Sequence, residues 1–375
     1  MIPKLAICSP SRNTYSETFI QAHKQIPGVE TKFYYGGGLP EKLEGYGPLK
    51  SMGRFREIGK SIKLNFFPSP FSDDEQALIQ SFKREKINCV LAEYGPTGVK
   101  LLNVCKHLNL PLIVHFHGYD ASIDLIIEKN KKGYEALFSY ACSVIVVSKA
   151  MERKLTFLGC SPEKLVYNTY GPDDTFFDVS PDFRKKLLVG IGRFVDKKAP
   201  YYTILAFKEV LEKHPDAQLV IGGDGILFNT CLNLIDYLGI KDKVVLPGII
   251  QSDQFRMYLQ EARGFVQHSV TAENGDMEGT PVAVLEASAA GLPVISTYHA
   301  GIPDVIIHEQ TGLLTEEHNV HEMALHMMKI LDDAAYARQL GAAGRSNIRN
   351  NFSMKRHLDI LSEIAIHCSR KKSAL

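Results

Sequence analysis

Two glutamates eight positions apart, Glu278 and Glu286, bracket the stretch Glu278-Gly279-Thr280-Pro281-Val282-Ala283-Val284-Leu285-Glu286. The residues between them read as the start of a helix: Thr280 is a capping type, Pro281 suits the first helical position, Gly291 ends the segment and Pro293 opens a strand. A helix that begins after a small-residue turn offers free backbone N–H groups and the positive end of its dipole, which together hold a phosphate. Gly279 lets such a ligand approach closely. Glu278 precedes the helix and Glu286 lies about 7 to 8 Å further along the axis, so the two carboxylates can grip two parts of one extended ligand. Taken alone, the same pattern is also that of an ordinary capped helix with two surface carboxylates.

Three other segments carry groups of use to such a ligand. In Gly190-Ile191-Gly192-Arg193-Phe194-Val195-Asp196-Lys197-Lys198, the cations of Arg193 and Lys198 follow an apolar run and can converge on a diphosphate. Fixed cations stabilise the charge that builds on a departing phosphate without a metal. In His115-Phe116-His117-Gly118-Tyr119-Asp120, strand alternation and the loop that follows aim His117 at the carboxyl end of a strand. Two histidines and an aspartate also raise metal binding, but no further cluster has ligand spacing, so no metal is expected. Gly222-Gly223-Asp224-Gly225 reads as a tight turn, with Gly223 near a nucleotide base.

The first segment is similar, almost position by position, to the E-x7-E stretch of the retaining family 4 glycosyltransferases, whose architecture is called GT-B. That resemblance implies that Glu286 bonds the donor ribose, Glu278 holds the transferred sugar, and Gly279 and Thr280 offer N–H groups to the diphosphate. The family's G-R-x-x-x-x-K pattern falls on Gly192, Arg193 and Lys198, with Lys197 less defined, and its H-G-x-D loop on His117 and Asp120. The implied catalytic set is His117, Glu278, Arg193 and Lys198; the donor set is Arg193, Lys198, Gly279, Thr280, Glu286 and Gly223. Asp120 would orient its loop or the acceptor. Ser16-Glu17-Thr18-Phe19-Ile20 resembles a segment of the exopolysaccharide members, which adds Glu17 on the acceptor side. The chain departs from the pattern at Ser9-Pro10-Ser11-Arg12-Asn13, where many members carry paired glycines.

The implied activity is retaining transfer of a hexosyl unit from a nucleoside-diphosphate sugar to a saccharide acceptor, lipid-linked, in surface polysaccharide assembly. The donor is a co-substrate, and no separate cofactor or metal is implied. A catalytically silent sugar-nucleotide binder, an epimerase or a phosphorylase of the same architecture are the alternatives. A dinucleotide oxidoreductase is set aside because no G-x-G-x-x-G follows the first strand.

These residues need a scaffold with strand ends facing a cleft. The 375 residues exceed what one core usually organises. Apolar runs at 5–8, 29–34, 89–92, 112–116 and 144–147 alternate with helical stretches near 16–25, 73–86, 97–108 and 149–158. After an aperiodic hinge at 168–186 the alternation restarts, with strands at 187–191, 218–221, 244–246, 264–267 and 293–296 and helices near 200–213, 226–238, 252–262 and 281–290. The expected fold is α/β, GT-B, with two Rossmann-like domains facing a central cleft: residues 1–170 for the acceptor, 171–350 for the nucleotide sugar, and a terminal helix at 351–375 packing back on the first domain. From Asn319 the chain reads as helix throughout, with Met354, Leu358, Leu361 and Ala365 on one face.

Forty-three basic against 42 acidic residues argue against a nucleic-acid partner. Seven cysteines without a CxxC pair read as buried thiols of a cytoplasmic protein. Neither a signal-peptide stretch nor a membrane span is legible. One basic stretch, 49–67, sets Lys50, Arg54, Arg56, Lys60 and Lys63 among apolar residues at helical spacing, as for contact with the inner face of a membrane. A core-packed helix with a solvated basic face fits it equally.

Overall fold

The computed structural model describes residues 2–12, 18–50 and 69–372, and within them the apolar runs form two largely parallel sheets. The first comprises β1 (Lys4–Ser9), β2 (Glu30–Tyr35), β3 (Lys42–Leu43), β4 (Gly47–Pro48), β5 (Cys89–Glu93), β6 (Leu112–His115), β7 (Ser143–Val146) and β8 (Leu165–Tyr167), in the order β4-β3-β2-β1-β5-β6-β7-β8. The antiparallel pairings among the described residues are β2 with β3 and β3 with β4. The second comprises β9 (Leu187–Ile191), β10 (Gln218–Gly222), β11 (Val244–Val245), β12 (Gly264–Val266), β13 (Val294–Thr297) and β14 (Gly312–Thr315), in the order β11-β10-β9-β12-β13-β14. Strand order reverses between β1 and β5 and again between β9 and β12, and at such a reversal a crevice opens beyond the carboxyl ends of the strands.

Helices cover both faces of each sheet, so the central strands are apolar along their length: Val144, Ile145 and Val146 are fully buried, as are Leu188 and Val189. β5 ends on a charge, Glu93, which is buried like its neighbours. Local signals fix many of the helix ends. Ser72 and Glu75 form a reciprocal capping box at the start of the Asp73–Glu85 helix, and Lys86 closes it in the left-handed region.

Several elements differ from the sequence reading. The Asp124–Tyr140 helix was not expected there; its buried side comprises Tyr134, Leu137 and Phe138, all near its end, and the charged first half hides the period. β8, Leu165-Val166-Tyr167, is too short and only half-buried to stand out as a core strand. The stretch near 16–25 is a short helix, Thr18–Ala22, followed by a 3-10 turn, His23–Gln25. The chain after Asn319 divides into three helices, Val320–Asp332, Ala334–Asn351 and Met354–Lys372. Asp333 breaks the first from the second because its carboxylate accepts from the Ala335 and Tyr336 amides (2.8 and 3.0 Å). Glu17 lies outside the described residues, as does the basic stretch 49–67 apart from Leu49 and Lys50. Among the described residues no helix is long and apolar enough to cross a membrane.

The Met354–Lys372 helix returns to the first sheet and packs on β5 and β6. Its buried side is centred on His357, Leu361, Ala365 and Cys368, so Met354 and Leu358 lie at the edge of the contact rather than within it. Ser362 donates to the Pro27 carbonyl (2.6 Å) and Cys368 is disulfide-bonded to Cys142. That bond corrects the expectation of seven thiols; the other five cysteines are free and buried. A pairing across 226 residues leaves no local spacing to read.

The link between the sheets passes against the start of this helix. A Cβ on Gly171 would stand 2.1 Å from the Met354 backbone nitrogen. Gly171→Ala should therefore push link and helix apart and lower stability by about 1–3 kcal/mol, the usual cost of overpacking. A urea titration reads this as a lower midpoint at constant slope; an unchanged midpoint would mean that the two segments are not in contact.

Candidate active site

A cleft of about 490 Å³ lies between the sheets, lined from the first by Phe19, Tyr94, His117, Gly118 and Tyr170 and from the second by Arg193, Lys198, Phe255, Glu278, Gly279 and Glu286, among others. The structure thus brings His117, Arg193, Lys198, Glu278, Gly279, Thr280 and Glu286 to one cavity.

The loop before the Val282–Ala289 helix closes the cleft from one side. A Cβ on Gly279 would lie 2.4 Å from the His117 carbonyl oxygen, so glycine permits the two sheets' loops to meet. The Met277 amide donates to Ser122 Oγ (3.1 Å) and the Asp124 amide to the Asn274 carbonyl (3.1 Å). Thr280 does not cap the helix as its type suggests. Its hydroxyl donates to the Val147 carbonyl of the first sheet (2.7 Å), and Pro281 takes the capping position with no side-chain bond. The leading N–H groups of the helix are left without a side-chain cap, toward the cleft.

Two further side chains hold this loop. Lys197 is buried and its Nζ donates to Asp276 Oδ1 (2.9 Å) and the Met277 carbonyl (3.1 Å), so it supports the loop from the cleft wall. His299 accepts from the Glu278 amide on Nε2 (3.1 Å), while Nδ1 faces Glu317 Oε1 at 2.6 Å. An accepting Nε2 requires the proton on Nδ1, and Glu317 receives it.

The cleft charges are uneven. Lys198 Nζ stands 3.2 Å from Glu278 Oε1 as an ion pair. Burial pushes the Glu278 carboxyl up, but Lys198, then Lys197, outweigh it and hold it at about 2. Burial lowers Lys198, and the like charges of Lys197 and Arg193 act in the same direction against the pull of Glu278. Arg193 is exposed and makes no ion pair among the described residues. Glu286 likewise makes no ion pair among the described residues; burial, then the charge of Asp173, pushes its carboxyl up to about 7 against the pull of Arg256.

His117 donates from Nε2 to Glu93 Oε2 (2.8 Å) and meets the Tyr170 hydroxyl at Nδ1 (2.5 Å), so both ring nitrogens are already engaged. Asp120 is fully buried and accepts from the Gly95, His117 and Gly118 amides at 2.9, 3.0 and 3.0 Å. These three bonds make it an anchor of its own loop. Gly223 does not line the cleft; a Cβ there would overlap the Gly192 carbonyl, so its part is to let two turns meet. Sequence reasoning missed Glu93, Ser122, Tyr170 and His299. Only Glu93 left a trace, as a carboxylate directly after an apolar strand run.

Comparison with known proteins bears on the family and the fold. Residues 173–347 match the family described as glycosyl transferases, group 1. An amylovoran biosynthesis glycosyltransferase of Erwinia amylovora is 30% identical over 73% of this chain and 69% of its own length. A protein of Escherichia coli assigned provisionally to colanic acid biosynthesis as a glycosyltransferase is 30% identical over 62% of this chain, which spans 59% of that relative. A crystal structure from Anabaena, solved in complex with UDP and glucose, superposes with a TM-score of 0.75 over 96% of this chain and 98% of that one at 14% identity. The fold is therefore GT-B.

The raised carboxyl of Glu286 has a measurable sign. A folded state that keeps a proton up to about pH 7 while the unfolded state releases it near its ordinary value of 4.5 loses stability as pH rises through that window. Wild type should show a downward slope between those pH values that Glu286→Gln lacks, up to about 1.4 kcal/mol per unit for one proton. Parallel slopes in urea titrations of the two proteins would show that Glu286 ionises like an exposed carboxylate.

Proposed function

This chain belongs to the group 1 glycosyl transferases, and on that premise we propose that it moves a hexosyl unit, with retention, from a nucleoside-diphosphate sugar to a saccharide acceptor. The observation that carries the reading is the convergence of Arg193, Lys198, Glu278, Glu286 and an uncapped helix start on one cleft. The diphosphate lies on the helix N-terminus with Arg193 and Lys198 beside it; Glu286 accepts from the ribose hydroxyls and Glu278 from those of the sugar.

The step breaks the bond between the anomeric carbon and the distal phosphate oxygen, and forms the acceptor bond on the same face. The leaving phosphate oxygen takes the acceptor's proton, and Arg193 and Lys198 stabilise its charge as it departs. A covalent intermediate is disfavoured by the geometry: Asp120 is buried under three amides and Glu278 is paired with Lys198. No metal enters this scheme. His117 shapes the sugar site through its fixed ring, and a sugar hydroxyl reaching Nδ1 has to displace Tyr170.

The relatives named for amylovoran and colanic acid synthesis support an acceptor in exopolysaccharide assembly. UDP in the Anabaena neighbour supports a uridine donor as the first to test.

A panel of UDP-, GDP- and ADP-sugars, scored for saturable binding and slow hydrolysis, tests the donor. One donor should be bound and cleaved by wild type, and Glu286→Ala should lose binding by about 10-fold or more, the scale of a charge-assisted hydrogen bond. NMR of the released or transferred sugar should show the donor's anomeric configuration first. Binding of no donor would move the chain to a silent partner, and the opposite anomer would end the retaining mechanism.

A further inference from the structure

Next to His117, but not lining the cleft, lie His23 from the 3-10 turn, Glu93 at the end of β5, His115 at the end of β6 and His357 from the terminal helix, all with no exposed surface. His23 Nδ1 meets Glu93 Oε1 at 2.7 Å, and His23 Nε2 meets His357 Nε2 at 2.9 Å. The second carboxylate oxygen of Glu93 accepts from His117.

His115 does not fit a hydrogen-bonded account of this cluster. Neither of its ring nitrogens has a hydrogen-bond partner, and its Nδ1 stands 3.8 Å from Glu93 Oε2, beyond hydrogen-bond reach. A buried polar group left in this way destabilises the fold unless something binds it. The ligand atoms of His23, Glu93 and His115 nevertheless all lie within 4.8 Å of one another, close to what a cation bonded at about 2.0–2.2 Å to each would draw together.

The surroundings match those of a metal centre. Ligating groups in such centres are held by outer hydrogen bonds that fix their orientation. Here His117 holds the free oxygen of Glu93, and His357 holds the far nitrogen of His23.

We propose that His23, Glu93 and His115 form a binding site for one divalent transition cation of the zinc class, with His117 and His357 as its outer partners. Two imidazoles and one carboxylate suit zinc, cobalt or nickel, whereas magnesium and calcium favour oxygen ligands alone. The cation touches neither donor nor acceptor. It fixes the carboxylate that orients His117 and clamps the amino-terminal turn and the terminal helix to the sheet.

The test uses the full chain, stripped with a chelator and titrated with cobalt(II). Wild type should develop the visible ligand-field absorption of a low-coordinate cobalt site, saturating at about one equivalent and displaced by zinc. His115→Ala should lose that absorption while keeping its circular dichroism; should it fail to fold, His115→Gln carries the same expectation. His117→Ala should keep the absorption with affinity reduced about 10–100-fold, the effect of an outer partner. Folded wild type without the absorption, or absorption unchanged in the His115 variants, overturns the proposal. The readout needs no sugar nucleotide, so it stands or falls apart from the transfer reaction.

Discussion

The Lys198–Glu278 ion pair is the constraint around which the cleft is built. Two charges removed from water lose several kcal/mol of hydration each, and their attraction offsets this only when position and neighbours are right. The structure supplies both. Lys197 and His299 hold the loop that carries Glu278, while Lys198 closes the short 3-10 turn Asp196–Lys198 in the loop after β9. An anionic ligand entering the cleft meets Lys198 already partly neutralised, so it must share the cation rather than find it free. Arg193, exposed and without an ion pair among the described residues, is the group that can respond first.

The backbone does much of what side chains were expected to do. Thr280 commits its hydroxyl to the Val147 carbonyl just past β7 of the opposite sheet, Pro281 offers no cap, and Gly279 stands against His117 where any side chain would collide. Each of these locally unusual choices joins the two halves of the molecule and leaves helix N–H groups toward the cavity. They are the places where ordinary helix rules give way to the requirements of a site.

What could be read from the sequence is what is written locally. Alternating apolar runs gave the two parallel sheets, and the E-x7-E stretch with Arg193 and Lys198 marked residues that do share a cavity. What could not be read depends on partners distant in the chain. Thr280 looks like a cap until Val147 is beside it, and nothing near Gly223 tells that its turn meets the one at Gly192. The Cys142–Cys368 bond and the cluster of His23, Glu93, His115 and His357 join segments more than 200 residues apart, with no spacing to betray them. His117 was found for its place, but its two hydrogen-bond partners come from elsewhere in the sheet and the link.

The chain passes from the first sheet to the second beside Gly171 and returns beside Met354, and these two passages are in van der Waals contact. A pair of bodies joined by one strand can drift apart, slide and twist. Here two strands meet at one point, and the bonds from Thr280 to Val147 and from Met277 to Ser122 tie the halves again beside the cleft, so a change in its width has to break contacts of the very loop that carries Glu278.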